Sequence, residues 1–161
     1  MKRCILVIVA ASLLLAALAL PASAQIKVVA NGNNLILDSP PVIKEGRTLV
    51  PLRATATAVG SEVTWSHITN TVWLIKGDIM IQLDPGSQTV FIGQLDWPHP
   101  RFGEPKFNSD IKVKTIVLDV PPQMMNNRIM VPLRFISENL GASVQWDGPT
   151  RTIFINPVNS P

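Results

Sequence analysis

Short apolar runs alternate with polar turns along most of the chain. Between residues 42 and 50 two apolar runs flank Lys44–Arg47, and between residues 124 and 131 two others flank Asn126–Arg128. Gly46 and the two asparagines tolerate the positive φ angles that tight turns require. The pattern therefore predicts a short β-hairpin at each place.

A Val-Pro-Leu-Arg motif ends each predicted hairpin, with its proline at Pro51 or Pro132. Proline suits the first turn of a helix, where its missing N–H has no intrahelical partner to lose. Apolar residues then recur at helical spacing up to Gly60 and Gly141, which stand where a left-handed cap ends a helix. Each motif thus predicts one short helix that ends at a glycine.

Alternating apolar and polar residues follow each glycine and predict further strands. These strands run through Val63–Trp65, Thr71–Ile75, Val144–Trp146 and Thr152–Ile155. Two more hairpins are predicted around the turn sequences Asn31-Gly32-Asn33 and Asp84-Pro85-Gly86.

Most of these elements belong to an internal repeat with an offset of 81 residues, whose copies cover residues 38–75 and 119–156 without gaps. A copy of about 38 residues buries too little surface to be stable alone. The sequence therefore predicts an α+β fold, an antiparallel β-rich single domain of two pseudo-symmetric halves, each with hairpins and one short helix. Matched positions include Asp38/Asp119, Arg47/Arg128, the two Val-Pro-Leu-Arg motifs, Gly60/Gly141 and Trp65/Trp146.

Residues 1–24 have the features of a secretory signal peptide. Lys2 and Arg3 precede an apolar run, and Ala22-Ser23-Ala24 offers a small-residue cleavage site. The run is shorter than the roughly 20 residues that span a bilayer. We expect cleavage after Ala24, leaving the domain at residues 25–161, secreted or at the cell surface, without a stable membrane span.

Loss of the leader changes what the charge implies. The full chain has a formal net charge of +3, to which Lys2 and Arg3 contribute, so the expected mature chain is close to neutral. Its charge therefore gives no indication of nucleic acid binding, which needs a basic surface. The only cysteine, Cys4, lies in the leader, which excludes thiol catalysis and cysteine-ligated metals from the mature chain.

Other catalytic and metal-binding patterns are also missing from the sequence. It contains no Gly-x-Ser-x-Gly, His-Glu-x-x-His or Gly-rich phosphate motif. Of the two histidines, His67 lies in a predicted turn, and His99 would join Asp96 and Glu104 in a metal site only if the loop between them curled. We predict that the protein is not an enzyme and has no cofactor and no metal. A small secreted metal-binding protein or hydrolase is kept as a further alternative.

The doubled motif resembles a known family. Two Pro-Pro segments, two Val-Pro-Leu-Arg motifs, two helices ending in glycine and two Val-x-Trp strands are similar to the copper amine oxidase N-terminal-like domain, or stalk domain, of secreted and cell-surface bacterial proteins. The resemblance covers roughly residues 26–157. It implies a non-catalytic extracytoplasmic module, because the copper and quinone chemistry of the oxidases belongs to a separate domain. The chain departs from the family's pattern by an insertion at residues 94–114.

Arginines and tryptophans of the motif carry the most chemistry. Arg53 and Arg134 suit the recognition of carboxylates, such as those of a cell-wall peptide, and Trp65 and Trp146 suit stacking on sugars. Equivalent placement in both halves favours structural roles instead, with the arginines bonding across the halves or to strand-end carbonyls and the tryptophans anchoring the core. The positions expected to serve the fold are Pro51, Arg53, Gly60, Trp65, Pro132, Arg134, Gly141 and Trp146.

The insertion supplies the candidate ligand or partner contacts. Aromatic residues beside basic ones are typical anchors of binding sites. The alternative is that the rings fold back over a sheet edge, and the sequence leaves both open. The candidate contacts are Trp97, Arg101, Phe102 and Phe107.

The leading hypothesis is a non-catalytic stalk-type interaction or scaffolding module at the bacterial cell surface, whose partner is a cell-envelope component or another protein. A carbohydrate- or peptidoglycan-binding module is the first alternative. Homo-oligomerisation through exposed strand edges also stays open.

Overall fold

The structure is a computed structural model that describes residues 25–96 and 104–158. The expected signal peptide lies outside the described residues. The described part of the chain contains thirteen strands and two helices, in the order β1 (Lys27–Ala30), β2 (Asn33–Asn34), β3 (Val42–Lys44), β4 (Arg47–Pro51), α1 (Leu52–Ala58), β5 (Glu62–Ser66), β6 (Thr71–Lys76), β7 (Ile79–Leu83), β8 (Thr89–Gln94), β9 (Lys114–Val117), β10 (Gln123–Met125), β11 (Arg128–Pro132), α2 (Leu133–Asn139), β12 (Ala142–Asp147) and β13 (Thr152–Pro157).

The strands form three sheets, which confirms the predicted strand-rich α+β class. Their orders are β10-β11-β4-β3, β12-β13-β1-β2 and β5-β6-β7-β8-β9. All pairs are antiparallel except β1 with β13, which is parallel. Both helices have seven residues, and nowhere in the described part of the chain is there a helix with the length and apolar character needed to cross a membrane.

The central sheet joins the two halves through β4 and β11. Val50 pairs with Val131, its own repeat equivalent, and Leu49 pairs with Pro132 as Met130 pairs with Pro51. This register is symmetric, so a pseudo-twofold axis passes between the two valines. The halves therefore meet by pairing the same segment of each copy.

Both faces of this central pair are buried, because successive residues of a strand point to opposite sides. Val50 and Val131 face the main core, which also receives Leu52 and Leu133 from the helices. Leu49 and Met130 face the other side and pack with Val120 in a smaller cluster.

The Val-Pro-Leu-Arg motif can now be explained residue by residue. The valine pairs on the pseudo-twofold axis, and the proline ends the strand and forms the N-cap of the helix. The helices thus begin one residue later than predicted. The leucine buries the first helical turn, and the arginine remains exposed.

The predicted turns and helix ends are confirmed. Glu45-Gly46 and Asn126-Asn127 have positive φ angles at the tips of the β3–β4 and β10–β11 hairpins. Gly60 and Gly141 follow the two helices with φ of 79° and 74°, a conformation that only glycine adopts without strain.

The two halves differ by one strand. β13 pairs directly with β1, whereas its repeat equivalent β6 is separated from β8 by β7. Since β7 is antiparallel to both of its neighbours, β8 is parallel to β6, as β1 is to β13. The inserted strand makes one outer sheet five-stranded and the other four-stranded.

Lys76, at the end of β6, lies near the C-terminal ends of both helices. Its Nζ donates a hydrogen bond of 2.6 Å to the carbonyl oxygen of Leu140, the C-cap of α2. A Cβ on Gly60 would lie 4.0 Å from Lys76 Cε. The ammonium group therefore stands where the carbonyl dipoles of α2 favour positive charge.

The insertion leaves the five-stranded sheet through a hydrogen-bonded stem. Asn108 N donates to Gln94 O at 2.8 Å, and Asp96 N donates to Lys106 O at 3.0 Å. Within this stem, Phe107 is half-buried and joins a cluster with Trp73, Met80 and Leu95. Its ring covers one face of the sheet.

We predict that Lys76→Met destabilises the domain by about 1–2 kcal/mol, because a carbonyl at the end of α2 loses its charged donor. Urea denaturation of the variant and the parent measures the loss. Lys112→Met, at an exposed loop residue, is the matched control and should change stability little; equal losses in both variants would contradict the capping role.

Gly93→Ala is expected to destabilise the domain by about 1–3 kcal/mol through overpacking. A Cβ at Gly93 would stand 2.7 Å from Phe107 Cδ1. The same substitution in a Phe107→Leu background should cost less, as thermal denaturation of the four proteins of the cycle can show. Strictly additive effects would argue against this contact.

Candidate functional site

Two grooves on the surface are related by the repeat. The Trp65 groove has a volume of about 290 Å³ and the Trp146 groove about 510 Å³. Each is lined by a motif proline, leucine and arginine, by the Val-x-Trp strand of the same copy, and by the hairpin turn of the other copy. Both grooves therefore lie across the junction between the halves. The repeat-matched lining residues are Asp38, Pro51, Leu52, Arg53, Val63, Trp65, Val72, Asn127, Arg128 and Ile129 in the first groove, and Asp119, Pro132, Leu133, Arg134, Val144, Trp146, Ile153, Gly46, Arg47 and Thr48 in the second.

The tryptophans form groove walls, so the expectation that both anchor the core is wrong for Trp146. Its side chain is 51% exposed, and Trp65 is half-buried and packs against the margin of the core. Their strands β5 and β12 lie at sheet edges. Val144 reaches the core from β12, whereas Trp146, two residues further on the same face, extends past its rim. Among the described residues, the buried tryptophan is Trp73, which is 3% exposed.

The motif arginines lie on the groove rims. Contrary to the expectation, neither bonds across the halves within the described part of the chain. Arg134 Nη1 lies 3.8 Å from Glu138 Oε1, one helical turn along α2. Thr57 occupies the position equivalent to Glu138 in α1. Arg53 has no hydrogen-bond or ion-pair partner among the described residues.

Another pair of arginines bonds across the halves. Arg47 of the first copy pairs with Asp119 of the second, and Arg128 of the second pairs with Asp38 of the first. Arg47 uses two donors, Nε and Nη2, on one carboxylate oxygen. The internal repeat matches all four residues. It does not indicate that each aspartate pairs with the arginine of the opposite copy.

The Arg47–Asp119 pair is exposed, yet it changes the pKa of its carboxyl group. The hydrogen bonds from Arg47 lower the pKa of Asp119 below its ordinary value, with smaller contributions from the backbone N–H of Asp119 and from the charge of Arg47. Because the carboxylate form is favoured in the fold, the pair contributes stability at neutral pH and loses it in acid.

The indole N–H groups of Trp65 and Trp146 have different surroundings. Trp65 Nε1 donates a hydrogen bond of 3.1 Å to His67 Nδ1, and the two rings are inclined at 54°. In the second copy Gly148 stands in place of His67, and no described residue accepts a hydrogen bond from Trp146. The repeat has therefore diverged at this point.

A metal centre finds no support in the described residues. They contain no group of three or more histidine, cysteine, aspartate or glutamate side chains placed to hold a metal ion. His67 Nδ1 is engaged by Trp65, and Glu104 accepts a hydrogen bond of 3.1 Å from Thr69 Oγ1. The donor set therefore does not fit copper at either place, and His99 lies outside the described residues.

The candidate contacts predicted in the insertion fall into two groups. Phe107 packs on Gly93 and belongs to the fold. Trp97, Arg101 and Phe102 lie outside the described residues, so their role as partner contacts stays a prediction.

We predict that Asp119→Asn lowers the free energy of unfolding at pH 7 and has a decreasing effect as the pH falls. Asp119 has a lowered pKa in the fold, so the stability from its pairing is complete above the unfolded value of about 4 and disappears as the pH falls through the folded value. Denaturant unfolding of parent and variant between pH 7 and pH 2.5 measures the difference. A difference that stays constant over this range would contradict the assignment to the ion pair.

Comparison with known families finds a match to the copper amine oxidase N-terminal domain over residues 29–155. A search of curated proteins finds no match to the chain. The family is a non-catalytic domain of amine oxidases, and the matched region includes both grooves and the ion pairs between the halves. On the extent of this match, the chain belongs to the copper amine oxidase N-terminal domain family.

Proposed function

We propose that the protein is a non-catalytic interaction module outside the cytoplasm and that the Trp65 and Trp146 grooves bind its partner, a component of the cell envelope. One observation carries the proposal. In each groove a surface tryptophan and a motif arginine line the same apolar cleft, and tryptophan and arginine are the residues most enriched at binding hot spots.

Exposed apolar residues at other repeat-equivalent positions support the same surface. Ile36 and Val117 are 90% and 71% exposed, and Ile43 and Met124 are 59% and 52% exposed. Val117 lines the Trp146 groove and Met124 lines the Trp65 groove. Apolar side chains that stay on the surface beside a cleft are typical of interaction sites.

The chemistry of the grooves favours binding over catalysis. Their described lining residues include no histidine, serine, cysteine or lysine, so they contain no serine or cysteine nucleophile beside a histidine base. Asp38 and Asp119 are held in ion pairs with arginines. Export by the signal peptide predicted at residues 1–24 would bring this surface to the envelope.

We predict that the double variant Trp65→Ala, Trp146→Ala binds a cell-wall preparation from the producing organism at least about tenfold more weakly than the parent, because each groove loses its aromatic wall. A sedimentation assay with increasing protein concentration measures the affinity. Ile68→Ala, at a 95% exposed turn residue outside both grooves, is the matched control and should bind like the parent.

Circular dichroism should show that the double variant keeps the parent's fold, since neither indole is fully buried. If the double variant binds the cell-wall preparation as tightly as the parent, the proposal is wrong. It would direct attention to the insertion, whose Trp97 and Phe102 remain the alternative contacts.

A further inference from the structure

The two grooves differ in charge although they share a plan. In the Trp146 groove each arginine has a carboxylate nearby, Asp119 for Arg47 and Glu138 for Arg134. The described lining of the Trp65 groove contains two arginines and one carboxylate, and Arg128 pairs with that carboxylate. Among the residues that the structure describes, Arg53 therefore has no counter-charge in the Trp65 groove.

The sequence of α1 accounts for the difference. The helix reads Leu-Arg-Ala-Thr-Ala-Thr-Ala and has no acidic residue, so Thr57 stands where α2 has Glu138. An exposed arginine without a counter-charge attracts anions, and its planar guanidinium suits a carboxylate held by two hydrogen bonds.

The remaining walls of the Trp65 groove are apolar apart from Asn127, and a local hydrogen bond orients Trp65. Leu52, Val63 and Val72 line it beside Trp65. The hydrogen bond from the indole N–H to His67 fixes the edge of the ring, which lowers the entropy lost when a ligand packs against the aromatic surface. The cleft, about 290 Å³ in volume, thus offers an aromatic ring and an arginine that has no counter-charge among the described residues.

We infer that the Trp65 groove binds a carboxylate-bearing sugar unit of an anionic glycan, with Arg53 pairing to the carboxylate and Trp65 packing against the sugar ring. The inference rests on the proposed function and adds the ligand class. The Trp146 groove, whose arginines are compensated, accepts a unit of the same chain without selecting for charge.

Duplication of the groove favours a glycan over a peptide. The two clefts are built alike, so a ligand whose units repeat can engage both, and engagement of both raises the effective affinity. A peptide terminus offers one carboxylate and one point of attachment, whereas an acidic peptide repeats its carboxylates but has no ring to pack against Trp65. An acidic peptide is therefore the competing outcome in the test.

The test titrates the purified protein with a defined oligogalacturonate and follows tryptophan fluorescence and heat. A neutral gluco-oligosaccharide of the same length and a poly-glutamate peptide are the comparison ligands. We expect the oligogalacturonate to bind at least about tenfold more tightly than either. Arg53→Gln should reduce its affinity about tenfold or more, and Arg134→Gln should reduce it less, because Glu138 already lies beside that arginine. The matched control Lys112→Gln, at an exposed cation outside both grooves, should change it less than about twofold.

Each other outcome overturns the inference in a recognisable way. No binding of oligogalacturonate, or equal binding of the neutral oligosaccharide, removes the acidic glycan as ligand. Binding of poly-glutamate that depends on Arg53 replaces the glycan with a peptide. Equal effects of Arg53→Gln and Arg134→Gln remove the charge difference between the grooves. None of these outcomes contradicts the proposed function. That proposal fails only if the Trp65→Ala, Trp146→Ala variant binds the cell-wall preparation as tightly as the parent.

Discussion

The pairing of β4 with β11 is the contact on which the rest of the structure depends. It brings Val50 against Val131 at the pseudo-twofold axis, and both are fully buried. Each half of the domain exposes an apolar face that is too small to be stable alone. Because the two faces close on one another along this pair, the core belongs to both halves and the domain is one cooperative unit.

The grooves follow from the same pairing. When β4 and β11 run side by side, the hairpin turn of each copy comes to rest beside the Val-x-Trp strand of the other. Arg47 and Arg128 then reach aspartates of the opposite copy, and a cleft remains between turn, strand and helix. A binding surface thus arises at the place where the halves are joined, without dedicated loops.

The repeat-matched residues that line the two grooves are mostly identical, and the copies differ at positions beside them. Val50 and Val131 are identical at the axis, whereas Thr57 corresponds to Glu138 and His67 corresponds to Gly148 in the repeat. Positions on the axis must satisfy both halves at once, because each packs against its own equivalent. Thr57, His67 and Glu138 are exposed, and the side-chain partners of His67 and Glu138 belong to their own copy, so each copy can change there without cost to the other.

The sequence by itself determined the α+β class, the hairpin turns, the glycine ends of the helices and the family, because these depend on local backbone preferences and on motifs. Tertiary structure alone decided that Trp146 lies at the surface and that Arg47 bonds to Asp119. Alternation along a strand predicts which side a residue faces, but not where the core beneath that side ends. A repeat predicts which residues are equivalent. It does not predict that the pseudo-twofold pairing of the halves brings each of these arginines beside the aspartate of the other copy.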